Sequence, residues 1–93
     1  MADRLHIRVE GHVQGVGFRY FVQESGVRLG ISGWVRNRWD GSVEIRAEGE
    51  RVRLEQFLGQ VRRGPRGSHV SDLHFDWLES VGEFHDFRIR RTA

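Results

Sequence analysis

Leu5-His6-Ile7-Arg8-Val9-Glu10-Gly11-His12-Val13-Gln14-Gly15-Val16-Gly17-Phe18-Arg19 changes its hydrophobic period part-way along. Leu5, Ile7 and Val9 alternate with His6, Arg8 and Glu10, the period of two that a half-buried strand requires. Gly11, Gly15 and Gly17 then crowd into one short stretch. Glycine at this density marks a bend with unusual dihedrals, or backbone that must approach something closely. From Phe18 the spacing becomes helical, with Phe18, Phe21, Val22, Ser25 and Leu29 on one side. Gly26 lies inside that pattern at a cost of about 1 kcal/mol against Ala, and Gly30 is placed to end it.

The rest of the chain supplies partners for this strand–bend–helix unit. Ile31, Gly33 and Val35 alternate with Trp34 and Arg36, a second strand. Asn37-Arg38-Trp39-Asp40-Gly41 reads as a hairpin connection, with Asp-Gly the local turn signal. Val43, Ile45 and Ala47 alternate with Glu44, Arg46 and Glu48, a third strand whose charged residues are expected to face outward. Val52 lies just inside a second helix, where Leu54, Phe57, Leu58 and Val61 follow the spacing of one helix face. Gly64-Pro65 stops it. A basic turn, Arg62 to Ser68, leads to a fourth strand within Val70 to Leu78, where Leu73, Phe75 and Trp77 alternate with His74 and Asp76. Glu79 to Glu83 reads as a turn, and Phe87 and Ile89 mark a short last strand whose partner the pattern does not fix.

The order is β-α-β-β-α-β plus a short C-terminal strand. It predicts an α/β fold of the α+β kind, a two-layer ferredoxin-like sandwich with two helices on one face of a mainly antiparallel sheet. The chain has 93 residues, which argues for a single domain over 1–93. No Cys is present, so disulfides, thiolate chemistry and Cys-ligated zinc are excluded. All 15 basic residues are Arg, set against 13 acids for a net charge of +2. The absence of Lys rules out a Schiff base, a lysine general base and a Walker lysine. So small an excess of charge, with the acids interspersed, does not call for nucleic acid or a membrane as partner. No apolar run approaches the roughly 20 residues that span a bilayer. The first residues are charged and alternating rather than secretory, so a cytoplasmic protein is expected, acting as a monomer.

The bend is the most informative feature for function. The first N–H groups of the helix that follows it have no internal partner, and they add to the positive end of the helix dipole. Successive loop N–H groups can form a nest for an anion. Arg19 adds a planar fork of donors suited to phosphate oxygens. A dinucleotide fingerprint reading from Gly15 fails at Tyr20. From the residues alone, this anion cradle stands beside a plainer alternative, a glycine-rich surface turn with a solvated Arg. Asn37, from the residues alone, reads first as a turn residue bonding its own backbone, and only second as a site residue.

The run Gly11 to Arg19, closing on Val13-Gln14-Gly15-Val16-Gly17-Phe18-Arg19, resembles the signature of the acylphosphatase family. So does Leu29-Gly30-Ile31-Ser32-Gly33-Trp34-Val35-Arg36-Asn37-Arg38-Trp39-Asp40-Gly41. Gly64-Pro65 and Phe87-Arg88-Ile89 add to the likeness, which extends over almost the whole chain. The resemblance implies the ferredoxin-like sandwich and hydrolysis of acyl phosphates with no metal and no cofactor. It implies that Arg19, with the backbone amides of Gly15, Val16, Gly17, Phe18 and Arg19, binds the phosphoryl group, and that Asn37 holds the attacking water. A small acyl phosphate is then the substrate, and inorganic phosphate is both product and competitive ligand.

Two other functions share the element order. An RNA-binding module would place its aromatic string on the third strand, whereas here Phe18-Arg19-Tyr20-Phe21 leaves the first strand. A non-catalytic anion-binding module would need Arg19 but no water-positioning amide. Among the histidines, His12 flanks the loop, where it would modulate pH dependence, and His6 and His74 read as surface residues. Trp34 and Trp39 flank Asn37, either walling the site or packing the open sheet face. Trp77 reads as a strand-packing residue. Arg36, Arg38, Arg62, Arg63 and Arg66 default to a solvated face, as do Asp72, Asp76 and Glu79.

Overall fold

The computed structural model describes residues 2–93. The alternating first segment forms β1 (Ala2–His12), and the glycine bend leads directly into α1 (Phe18–Arg28). The remaining elements are β2 (Ser32–Asn37), β3 (Val43–Glu50), α2 (Arg51–Arg63), β4 (His69–Glu79) and β5 (Phe87–Ile89). They form one sheet in the order β4-β1-β3-β2-β5. All neighbouring strands run antiparallel except β5, which pairs parallel to β2 at the edge. The pairing that the sequence pattern does not fix is therefore a parallel edge.

Register puts the apolar residues on one face. Leu5 pairs with Ala47, Ile7 with Ile45 and Val9 with Val43, while Val35 lies across from Ile45 on the other side. All of these are fully buried. They form one core with Phe18 and Val22 of α1, with Leu54, Phe57 and Val61 of α2, and with Phe87 of β5. Both helices therefore cover the same face. Burying a side chain such as Phe57 contributes roughly 2–3 kcal/mol, so this core is what orders the chain without any disulfide. Gly26 of α1 has a packing reason: a Cβ there would sit 2.5 Å from the Phe87 ring. The helix interior tolerates glycine because the edge strand packs directly against its backbone. Gly64 caps α2 with φ 69°. No helix among the described residues is long and apolar enough to cross a membrane.

The opposite face differs from the expected solvated one. Glu44 and Glu48 do point away from the helices, but both are buried, as are Arg4 and Trp34 on the same side. Glu44 accepts from Arg36 Nε and Arg38 Nη1, both at 2.9 Å, and its Oε2 lies 2.7 Å from His6 Nε2. Glu48 accepts from the N–H of Val81 at 2.7 Å. His6, Arg36 and Arg38 are thus partners in an ion-pair network rather than free surface groups. The sequence pattern shows only which face a residue lies on. It does not show that the β4–β5 connection runs back over this face and covers the end of it.

Candidate active site

Val13 and Phe18, each almost completely buried, anchor the two ends of the bend in the core. Between them Gly15 and Gly17 are exposed and left-handed, with φ 76° and 75°. A Cβ at either would meet nothing within 4 Å, so it is the backbone conformation and not space that selects glycine. Gly17 is the N-cap of α1, without any side-chain cap and without an acid in the first turn. The first bond of the helix runs from Phe21 N–H to the Gly17 carbonyl at 3.1 Å. The N–H groups of Phe18, Arg19 and Tyr20 precede that pattern and have no helical acceptor.

Asn37 is the last residue of β2 and pairs with Val43, so register places it on the helix face, beside the bend. Together Val13, Gly15, Gly17, Phe18, Arg19, Tyr20 and Asn37 line a cavity of about 130 Å3. The structure thus brings Asn37, distant in sequence, beside Arg19 and the glycine bend. No carboxylate and no histidine lines this cavity. Among the described residues Arg19 has no ion-pair partner, so its charge is uncompensated there. Asn37 is only 9% exposed, and its Oδ1 is buried without a hydrogen-bond partner in the protein. An acceptor in that state costs free energy unless it is used. Asn37 is not the residue that bonds the turn backbone. Asp40 does that, accepting from Ser42 N at 2.9 Å and Ser42 Oγ at 2.6 Å, bonds that lower its carboxyl below the ordinary value.

The backbone of Asn37 is held from both sides. It pairs with Val43 of β3 on one side, and on the other its carbonyl accepts from Ala93 N–H at 3.0 Å. The bend is tied to the same hairpin by a residue that sequence reasoning did not single out. Gln14 Nε2 donates to the carbonyls of Arg38 at 2.8 Å and Ser42 at 2.9 Å. One side chain of the loop therefore fixes its distance from the turn that carries Asn37. The signal in the sequence was a polar residue in a glycine bend, inside the run that resembles the family signature.

The other candidates separate cleanly. His12 is exposed, pairs across the sheet with His69, and does not line the cavity. Trp34 packs the open face, and Trp39 is 83% exposed at the hairpin tip. Trp77 is half-buried, under the guanidinium of Arg51 at 3.7 Å from the ring centroid. Glu10, Asp72 and His74 meet across β1 and β4 with ligand-type atoms within 4.8 Å of one another. That cluster is solvent-facing and shares no residue with the cavity.

The acylphosphatase family profile matches residues 5–89, taking in both the bend and the Asn37 hairpin. The chain belongs to the acylphosphatase family. It is 42% identical over 89 residues to the acylphosphatase of Caldanaerobacter subterraneus subsp. tengcongensis, covering 96% of this chain and 99% of the relative. It is 47% identical over 90 residues to that of Moorella thermoacetica, covering 97% and 96%. Among solved structures, the acylphosphatase from Bacillus subtilis superposes with a TM-score of 0.92 at 43% identity, covering 97% of this chain and 99% of that one. Membership and this full-length likeness support hydrolysis of acyl phosphates, and not the RNA-binding or purely anion-binding alternatives.

Proposed function

We propose that the cavity at Gly15–Arg19 hydrolyses acyl phosphates to a carboxylate and inorganic phosphate, with Arg19 and Asn37 as its catalytic residues. The observation that carries this assignment is an uncompensated arginine and an unpartnered buried amide oxygen lining one small cavity at a helix N-terminus. In this reading the phosphoryl oxygens take the free N–H groups of the Gly15–Arg19 loop and the guanidinium of Arg19. The planar fork of Arg19 follows the equatorial oxygens as the transition state forms.

A carboxylate is a good leaving group, so demand for a general acid is low. The site must supply charge stabilisation and a placed water. Asn37 is too weak a base to remove a proton. Its acceptor oxygen and donor N–H₂ suit it to hold a water in line with the scissile P–O bond. The water attacks phosphorus, the bond to the acyl oxygen breaks, and the proton leaves to the phosphate product.

The lining offers arginine, backbone amides and one neutral amide, but no carboxylate or imidazole for a divalent ion. We therefore assign the positive charge of the site to the protein itself, without metal or cofactor. The small cavity suits a small acyl phosphate, with inorganic phosphate as competitive product. The open sheet face carries an ion-pair network where an RNA-stacking surface would lie, which supports a function without nucleic acid. The deciding experiment is hydrolysis of a simple acyl phosphate in EDTA with inorganic phosphate as competitor. Turnover that survives EDTA and falls with phosphate is the expected result. Turnover that EDTA abolishes, or that phosphate does not inhibit, overturns the assignment.

A further inference from the structure

Four arginines, Arg4, Arg36, Arg46 and Arg90, line a groove of about 340 Å3 on the face of the sheet that the helices leave open, together with Trp34 and Phe84. Only two carboxylates, Glu44 and Glu83, share the lining. Glu44 is already engaged by Arg36, Arg38 and His6, and Glu83 by Arg4. Among the described residues Arg46 and Arg90 have neither an ion-pair partner nor a side-chain hydrogen bond, and Arg4, only 7% exposed, has an Nε with no acceptor.

The guanidinium groups of Arg36 and Arg90 lie 4.7 and 4.9 Å from the centroid of the same Trp34 ring. That ring orders both, but Arg36 is already paired with Glu44, so of the two cations on it only Arg90 lacks a counter-ion. The groove thus holds pre-positioned cations in excess, on a rigid strand surface, with a buried donor still to be used.

We propose that this groove is a second anion site, separate from the catalytic loop, taking a tetrahedral dianion of the phosphate class between Arg46, Arg90 and Arg4. Glu48, buried on the same face beside Arg4, adds a third carboxylate but is held by the N–H groups of Val81 and Gly82, so the cations left without a partner are Arg46 and Arg90, a pair that a dianion matches. Glu83 is the built-in competitor, since it occupies Arg4 from the β4–β5 connection. The ion is either free or carried by a small organic molecule, whose ring would use Trp34 and Phe84.

The test is a titration of Arg19→Ala protein with inorganic phosphate, followed residue by residue by NMR at about 150 mM salt, where diffuse surface attraction is screened. Saturable shifts at Arg4, Arg46, Arg90 and the Trp34 indole N–H are expected. The double substitution Arg46→Gln/Arg90→Gln weakens them by about tenfold or more. The same double substitution in a chain that keeps Arg19 leaves acyl phosphate turnover unchanged. Glu83→Gln, which retains every arginine, tightens binding. Phenyl phosphate binding no tighter than inorganic phosphate identifies the free ion, and tighter binding identifies an organic phosphate. Shifts confined to Gly15–Arg19, a groove response indifferent to the double substitution, or weaker binding in Glu83→Gln overturns the assignment. Because each shift is read at its own residue, a failure here leaves the role of the catalytic loop untouched.

Discussion

Arg19 and Arg36 are both half-buried arginines next to a turn, yet their surroundings are opposite. Arg36 donates to Glu44 through Nε at 2.9 Å and Nη2 at 2.8 Å, and stacks on Trp34. Arg19 lines a cavity that has no carboxylate, beside helix N–H groups that have no acceptor. One guanidinium is fully employed in holding the sheet together. The other faces a cavity that supplies no counter-charge. A folded protein satisfies its charges wherever it can, so the unsatisfied ones carry the functional information.

Substituting each arginine system in turn separates the two uses. Arg19→Ala has the largest expected effect. Losing a charged donor aimed at the phosphoryl group costs about 3 kcal/mol or more of transition-state stabilisation, at least a hundredfold in kcat/KM. Phosphate no longer shifts the Gly15–Arg19 amide signals of this variant, while its unliganded stability stays at the wild-type value. Wild-type phosphate binding at that loop in Arg19→Ala removes the guanidinium from the site.

Asn37→Ala comes next, at about 2 kcal/mol or roughly thirtyfold in kcat. Its phosphate affinity changes much less, because the amide acts on water rather than on the phosphoryl oxygens. Steady-state kinetics alongside phosphate inhibition separate the two. An unchanged kcat eliminates the water-holding role.

The open face yields the converse result. Burial opposes ionisation of Glu44, but hydrogen bonds from His6, Arg36 and Arg38 outweigh it and hold the carboxyl down to about 2, from an ordinary 4.5. A folded-state value below the unfolded one means that the native state binds fewer protons. The stabilisation is therefore complete above pH 4.5 and is lost as pH falls from there through about 2. Glu44→Gln should cost about 1.5 kcal/mol at neutral pH, between an exposed pair and a fully buried one. It should also flatten the acid limb of the stability curve, with acyl phosphate turnover at 25 °C little changed. Urea unfolding across pH 2–7 measures this, and an acid limb identical to wild type excludes the network as its source.

The same contrast explains what could be read from the chain. Strand alternation at Leu5-Ile7-Val9 and helical spacing at Leu54-Phe57-Leu58-Val61 are local, and each is found where the pattern puts it. The glycine bend before Phe18 was equally local. Asn37 needed register as well, because its facing depends on pairing with Val43 in a strand joined by a turn. Glu44 and Glu48 alternate like any exposed strand acids, and their burial comes from Arg36, Arg38 and the connection after β4. No periodicity records such contacts. The parallel docking of β5 against β2 is likewise set by tertiary packing, through Phe87 against Phe57 at 5.7 Å and against Gly26.

Gln14 belongs to neither side of that contrast, and its substitution gives the smallest and most specific effect. Its amide is satisfied, like Arg36, but what it satisfies is the join between the phosphate loop and the hairpin of Asn37. Gln14→Leu keeps the volume and removes both bonds, leaving the Arg38 and Ser42 carbonyls without this donor. Each still has a backbone partner, since Gly41 N–H donates to Arg38 and Arg38 N–H to Ser42, so the stability cost is about 1 kcal/mol. The loop keeps its own N–H groups and Arg19, so phosphate still binds. What changes is the distance from the phosphoryl group to the water on Asn37, and a displacement of that kind lowers kcat while KM moves little. A roughly fivefold loss in kcat is expected, and it should add nothing to the loss in Asn37→Ala, because the water it helps to place is already gone. Fully additive losses in the double variant would mean that Gln14 acts on the phosphate loop alone.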